Sequence, residues 1–332
     1  MPLPSARSRW LFTLTLGILC QGAQAEPRLE SATQRVGRTG LQTRLETPAS
    51  EEIAALYEEE ERDIGPQHLI RQKPSHNWLE GLGDIQFGST SNVYLDEAGA
   101  VDSSLMTSML QLALTPPVWK LEAGDLSAKA GYRHQKFNYG IATGGSESTI
   151  NDIDFDISSL FLQGSFLYNE KWLATVGLEH NRLMNASAGS YDEFYAEFAP
   201  NLSLGRSFAL TPKSALSATL SAAAHFSRVD LAPSDAYDRV DEAATISYTA
   251  QLLPRILFQS YYRAQFIQFT RMENRHDIIQ AVGVSLSYTL CQNASLRLFA
   301  NFESRDSSGT KIRDYDYRKL DTGLGSSVRF AF

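Results

Sequence analysis

Arg133, Glu179, Glu197, Arg263 and Glu303 fall on the wet faces of stretches that alternate apolar with small, polar or charged residues. Arg297 and Arg329 repeat the pattern nearer the C-terminus. Opposite charges around a narrow wet space select permeating ions by sign and size. The same charges can instead pair and brace the wall that carries them, because an unpaired buried charge is costly. His134, His180 and His225 are the candidate general bases, and His225 sits beside many serines. Acyl transfer needs a nucleophile, a base and an orienting group within hydrogen-bond reach. The chain has no G-x-S-x-G motif, so no catalysis is expected. Carboxylates cluster at Asp152, Asp154 and Asp156, at Asp230, Asp235, Asp238, Asp241 and Glu242, and at Asp314 and Asp316. Close carboxylates suit Ca²⁺ or Mg²⁺, but none of these runs has the glycine and ligand spacing of a calcium loop. A solvated rim is expected, with no metal and no cofactor.

The elements that must position these residues are strands. From Trp78 onward, twelve stretches read as strands: 79–95, 104–115, 125–138, 152–168, 172–184, 192–206, 214–229, 240–253, 256–270, 277–290, 295–305 and 319–332. Side chains alternate between the two faces of a strand. Leu216, Ala218, Leu220, Ala222, Ala224 and Phe226 oppose Ser217, Thr219, Ser221 and His225; Val282, Val284, Leu286 and Tyr288 oppose Ala281, Gly283, Ser285 and Ser287. Soluble sandwich strands run to about five or six residues. Strands of twice that length with one wet face suit a membrane, and short connections alternating with long ones suit an even-stranded closed barrel. The segment 116–124 is long for a short-side turn. In such a barrel Glu179 and Glu197 oppose the last two strands, Arg263 sits between, and Arg133 lies on the early side. One wall would be acidic and the other more basic. Trp78, Trp172, Phe258 and Phe332 fall at one set of strand ends, Tyr94, Phe137, Phe194 and Phe269 at the other, as two interfacial aromatic belts.

The ends read differently. Arg7 and Arg9 precede an apolar run, Trp10 to Cys20, too short to span a bilayer as a helix. Ala23-Gln24-Ala25 is a small-x-small cleavage site, so residues 1–25 read as a secretory leader. Leu19 occupies the place where lipidation of Cys20 would need a small residue. Residues 26–77 form a polar segment with one helix expected over 50–61, and the barrel occupies 78–332. Loss of Arg7 and Arg9 takes the formal charge from −8 to −10, which disfavours nucleic-acid partners. Cys291 would remain as a single thiol, so no internal disulfide is expected.

The last fourteen residues, Lys319 to Phe332, alternate Leu320, Thr322, Leu324, Ser326, Val328, Phe330 and Phe332 with charged, polar or small residues. This stretch resembles the closing strand of Gram-negative outer-membrane β-barrels. The resemblance is to an architectural class. It implies an all-β closed antiparallel barrel in outer-membrane lipid, with both termini periplasmic. Val328, Phe330 and Phe332 would then be the signal read by the barrel-assembly machinery. The charge arrangement resembles a porin constriction, which implies passage of small polar solutes or ions. A plugged structural or surface-interaction barrel is the alternative. A lipid hydrolase is the second, since some barrels of about twelve strands are lipases.

Overall fold

The computed structural model describes residues 76–95, 100–140, 154–169, 171–185, 191–229, 237–271, 275–308 and 316–332. The expected leader peptide and the helix over 50–61 lie outside them. Thirteen strands follow in order: β1 (Leu79–Thr90), β2 (Ser103–Leu114), β3 (Trp119–Leu121), β4 (Gly124–Tyr139), β5 (Phe155–Tyr168), β6 (Trp172–Asn185), β7 (Glu193–Thr211), β8 (Ser214–Val229), β9 (Arg239–Leu253), β10 (Ile256–Phe269), β11 (His276–Cys291), β12 (Ala294–Ser308) and β13 (Tyr317–Ala331). Each pairs antiparallel with its sequence neighbour, except that β2 pairs with β4. The sheet closes where β1 pairs with β13. The result is a twelve-stranded barrel with one extra short strand. β3 pairs only with the start of β4, and it accounts for the length of the 116–124 connection.

The alternation expected from the sequence sets the two faces. Ile85, Leu110, Val176, Leu202, Leu220, Ile246, Val282, Leu298 and Leu324 point outward and are exposed. Asp84, Gln86, Gln163, Thr175, Gln259 and Asn301 point inward and are buried. An apolar exterior on a closed sheet is the solution a bilayer demands, since lipid offers backbone groups no partners. Barrel strands of 12 to 19 residues exceed the roughly 9–11 needed to cross. Four connections at the end where β1 begins and β13 ends turn on two residues, at 122–123, 212–213, 254–255 and 292–293. Pro200 sits within β7, and the β7–β8 pairing skips positions 199 and 200, as expected where a donor is missing.

Closure needs a close approach. Gly88 faces Gly323 across the β1–β13 seam. A Cβ on Gly88 would lie 2.2 Å from the Thr322 carbonyl oxygen, and one on Gly323 would lie 2.4 Å from that of Phe87. Gly323→Val should therefore cost about 1–3 kcal/mol through overpacking and lower the yield of closed barrel. Heat-modifiable gel mobility measures that yield. Gly83→Ala, whose Cβ would meet nothing within 4 Å, should match the parent.

Candidate functional site

The barrel interior has two different halves. Toward the termini, inward positions are small and hydroxylic: Ser127, Gly177, Ser217, Thr219, Ser221, Thr245, Ser285 and Ser295 are all half-buried. Hydroxyls bond between neighbouring strands, Ser217 to Ser247 at 2.6 Å and Ser295 to Ser327 at 2.8 Å. This half is a hydroxyl-lined vestibule.

Higher up, the interior fills with charge. Arg133 on β4 bridges to Glu179 on β6, Nη2 to Oε2 at 3.2 Å, with both side chains under 5 % exposed. Glu197 Oε1 accepts from Asn181 at 2.8 Å. Its Oε2 accepts from Tyr195 Oη at 2.9 Å and lies 2.9 Å from His225 Nδ1. His225 Nε2 lies 3.4 Å from Asp241, which Arg239 and Gln265 also bind. Glu303 accepts from Tyr317 Oη at 2.8 Å and pairs with Lys319 at 3.4 Å. Arg275 and Arg305 share Asp277, with all three side chains fully buried. Lower down, at the level of Ser295 and Ser327, Arg297 reaches Asp84 across the closing seam at 3.3 Å. Arg263 and Arg329 face inward and are half-buried.

All the expected constriction residues thus point into the bore, but Arg133, Glu179, Glu197 and Glu303 find their partners locally along the wall. The expected separation into an acidic wall and a basic wall is not what the interior has. Arg133 and Glu179 come together; Glu197 and Glu303 belong to separate clusters. Sequence reading missed Asp84, Arg239, Asp277 and Arg305, while Lys319 belongs to the wet face read from the closing strand. Each of the four occupies an inward position by strand alternation, and that parity was the available signal.

Above the charges an apolar cluster gathers inside the barrel. It joins Phe137, Tyr139, Phe155, Ile157, Leu183 and Tyr195 with Tyr237, Ile267, Phe269 and Ile279. Phe137 stacks on Phe155 with ring centroids 4.7 Å apart, and Tyr195 meets Tyr237 edge-on at 6.4 Å. β11, which carries Ile279, lies six strands round from β5, on the far wall. The aromatic belt expected at this end needs correction. Phe137 and Phe269 share the parity of Arg133 and Gln265, so they are buried inside, and Tyr94 and Phe194 pack against the same cluster. At the opposite end Trp78, Trp172 and Phe332 are exposed as expected, and Phe258 points outward, half-buried.

Three of the described rim aspartates bind backbone. Asp154 accepts from Tyr139 N at 2.8 Å, Asp238 from Ser227 N at 2.7 Å, and Asp316 from Ser307 N at 2.6 Å. They fasten strand ends, where ladder donors would otherwise lack partners. Asp152, Asp230, Asp235 and Asp314 lie outside the described residues. Cys291 is an exposed free thiol at the end of β11. Of the three histidines, only His225 faces the interior; His134 and His180 lie on the outer wall.

No protein-family model and no curated protein matches the chain. Among solved structures it is similar to the beta domain of the Bordetella autotransporter BrkA, at 12% identity over 77% of this chain and 100% of that one, with a TM-score of 0.47. An outer membrane channel from Pseudomonas putida F1 is similar at 13% identity over 81% and 100%, with a TM-score of 0.49. An anion-selective porin from Comamonas acidovorans is similar at 12% identity over 76% and 98%, with a TM-score of 0.38. The barrel architecture rests on the closed sheet and its two faces rather than on these likenesses.

Proposed function

We propose that the protein is a Gram-negative outer-membrane barrel that passes small polar solutes or ions through a lumen closed at rest. The carrying observation is the contrast between an apolar exterior and an interior of hydroxyls and paired charges. A barrel needing only internal bracing has no use for a half-buried hydroxyl vestibule. Arg133 Nε, Gln135 Nε2 and Oε1, and Ser159 Oγ are buried without hydrogen-bond partners among the described residues. Such atoms are normally satisfied by water, so they favour a hydrated path below the aromatic cluster. The termini are periplasmic in this reading. The outward set of Val328, Phe330 and Phe332 beside the β1 seam supports contact with the barrel-assembly machinery.

The aromatic cluster also supports the second reading, a plugged structural barrel. Single-channel recording in planar bilayers separates the two. Ohmic steps are expected, with cation preference falling in Glu179→Gln and anion preference falling in Arg263→Gln. Silence from inserted parent protein and from a variant lacking the aromatic cluster would leave only the structural barrel.

A further inference from the structure

The outer wall of β4–β6 holds a polar cluster that the lumen does not use. His134 on β4 faces Ser158 on β5 in register, and both point away from the bore. His134 Nδ1 lies 3.2 Å from Ser158 Oγ. The other ring nitrogen, Nε2, lies 3.6 Å from Asp156 Oδ2. That oxygen also accepts from Tyr191 Oη at 3.1 Å, which holds the carboxylate in place. Burial, followed by the Asp156 charge, raises the Tyr191 pKa above its ordinary value, so the phenol stays a donor. Tyr132 Oη lies 3.1 Å from Ser158 Oγ, and its ring stacks on His134. Arg182 lies opposite Ser158 on β6 and shares Glu193 with Arg228.

Carboxylate, imidazole and hydroxyl in that order form the arrangement that turns a serine into a nucleophile, recognised by geometry rather than by sequence position. The 3.6 Å contact is longer than a hydrogen bond, as such contacts often are before substrate binds. The depth of the cluster names the substrate. Immediately toward the termini the outward row becomes Tyr132, Leu160, His180 and Phe198. A groove of about 490 Å³ opens there, lined by Leu112, Leu160, Leu162, Leu178 and Phe198. The arginines lie in the row of Ser158 itself, Arg182 opposite it and Arg228 two strands further round. An acyl ester of a membrane phospholipid has this layout, with its tail on the apolar side and its phosphate at the charged row. Arginine suits the phosphate.

We propose that Ser158 and His134, positioned by Asp156, hydrolyse acyl esters of membrane phospholipid on the lipid-facing wall. Ser158 Oγ bonds to the ester carbonyl carbon as its proton passes to His134 Nδ1. Tyr132 Oη donates to the oxyanion, with the Arg182 guanidinium beside it. The carbon–oxygen bond to glycerol breaks, and the leaving oxygen takes the proton from Nδ1. Water then attacks the acyl-serine, gives its proton through Nδ1 back to Oγ, and the fatty acid departs. One ester and one water become one acid and one alcohol.

The test uses full-length protein in mixed micelles with dioleoylphosphatidylglycerol, reading free oleate, and a fluorophosphonate label located by peptide mass spectrometry. Oleate release and a label on Ser158 are expected. Ser158→Ala should remove the label and lower release by at least about a thousandfold. Asp156→Asn should lower kcat more than KM and change the pH profile of release, with part of the rate restored in Asp156→Glu. Closed barrel that neither releases oleate nor labels at Ser158 overturns the proposal, as does release that survives Ser158→Ala. The inference rests on the membrane placement proposed above. Labelled but non-conducting protein would remove the passage alone, and conducting but unlabelled protein would remove this site alone.

Discussion

Phe155→Ala should turn a resting bore into a conducting one. Phe155 is fully buried and stacks on Phe137, at the centre of the cluster that joins β4–β7 to β10 and β11. Its removal leaves a void in the largely aromatic and aliphatic layer of the described interior. Below that layer lie Gln135, Ser159 and Asn181, each with a buried atom lacking a partner among the described residues. Water admitted through the void would satisfy them and join the hydroxyl vestibule. The substitution should cost about 3–5 kcal/mol of stability, the usual range for a buried Phe truncated to Ala. Planar-bilayer recording should show more frequent and larger steps than the parent, and urea unfolding in vesicles should show the lost stability. Adding Tyr195→Ala should enlarge the opening further. A variant that unfolds earlier yet stays silent would show that the cluster braces the barrel without gating it.

Glu179→Ala should be the most damaging of the charge substitutions. Arg133 is 3 % exposed and pairs with Glu179 at 3.2 Å. Removing one member of a buried pair costs about 3–5 kcal/mol, because the remaining charge stays buried without compensation. Replacing both members, as Arg133→Met with Glu179→Leu, should recover most of that loss, since two matched charges and two apolar side chains are close in free energy. Unfolding midpoints of the three variants in lipid vesicles measure the difference. Equal losses in the single and the double variant would mean that water already solvates Arg133, and the charge layer would then be open.

The strands were legible because each residue in a lipid-bound strand answers to one of two environments. Leu320 through Phe332 read outward at every second position, and the structure agrees. β3 escaped because three residues carry too little alternation to register. Phe137 and Phe269 were misread for a different reason. An aromatic near a strand end satisfies an interfacial belt equally well on paper, and position was weighed above parity. The parity they share with Arg133 and Gln265 puts them inside.

The proposed Ser158–His134 site was invisible to a motif search because it lies on two adjacent strands. Ser158 and His134 are 24 positions apart, and only the β4–β5 register sets them side by side. The G-x-S-x-G pattern describes a strand-to-helix turn, so its absence speaks of that turn alone.

By itself, the sequence determined which side chains meet lipid and which meet the interior, since alternation along a strand needs no knowledge of the partner strand. It also pointed to closure, through an even set of long alternating strands. Only the tertiary structure decided which charges pair. Arg297 and Asp84 stand 213 positions apart and meet because β1 closes on β13. Arg133 finds Glu179 two strands away along the wall rather than across the bore. Register and strand tilt set those meetings, and both are properties of the closed sheet as a whole, beyond the reach of any one strand's sequence.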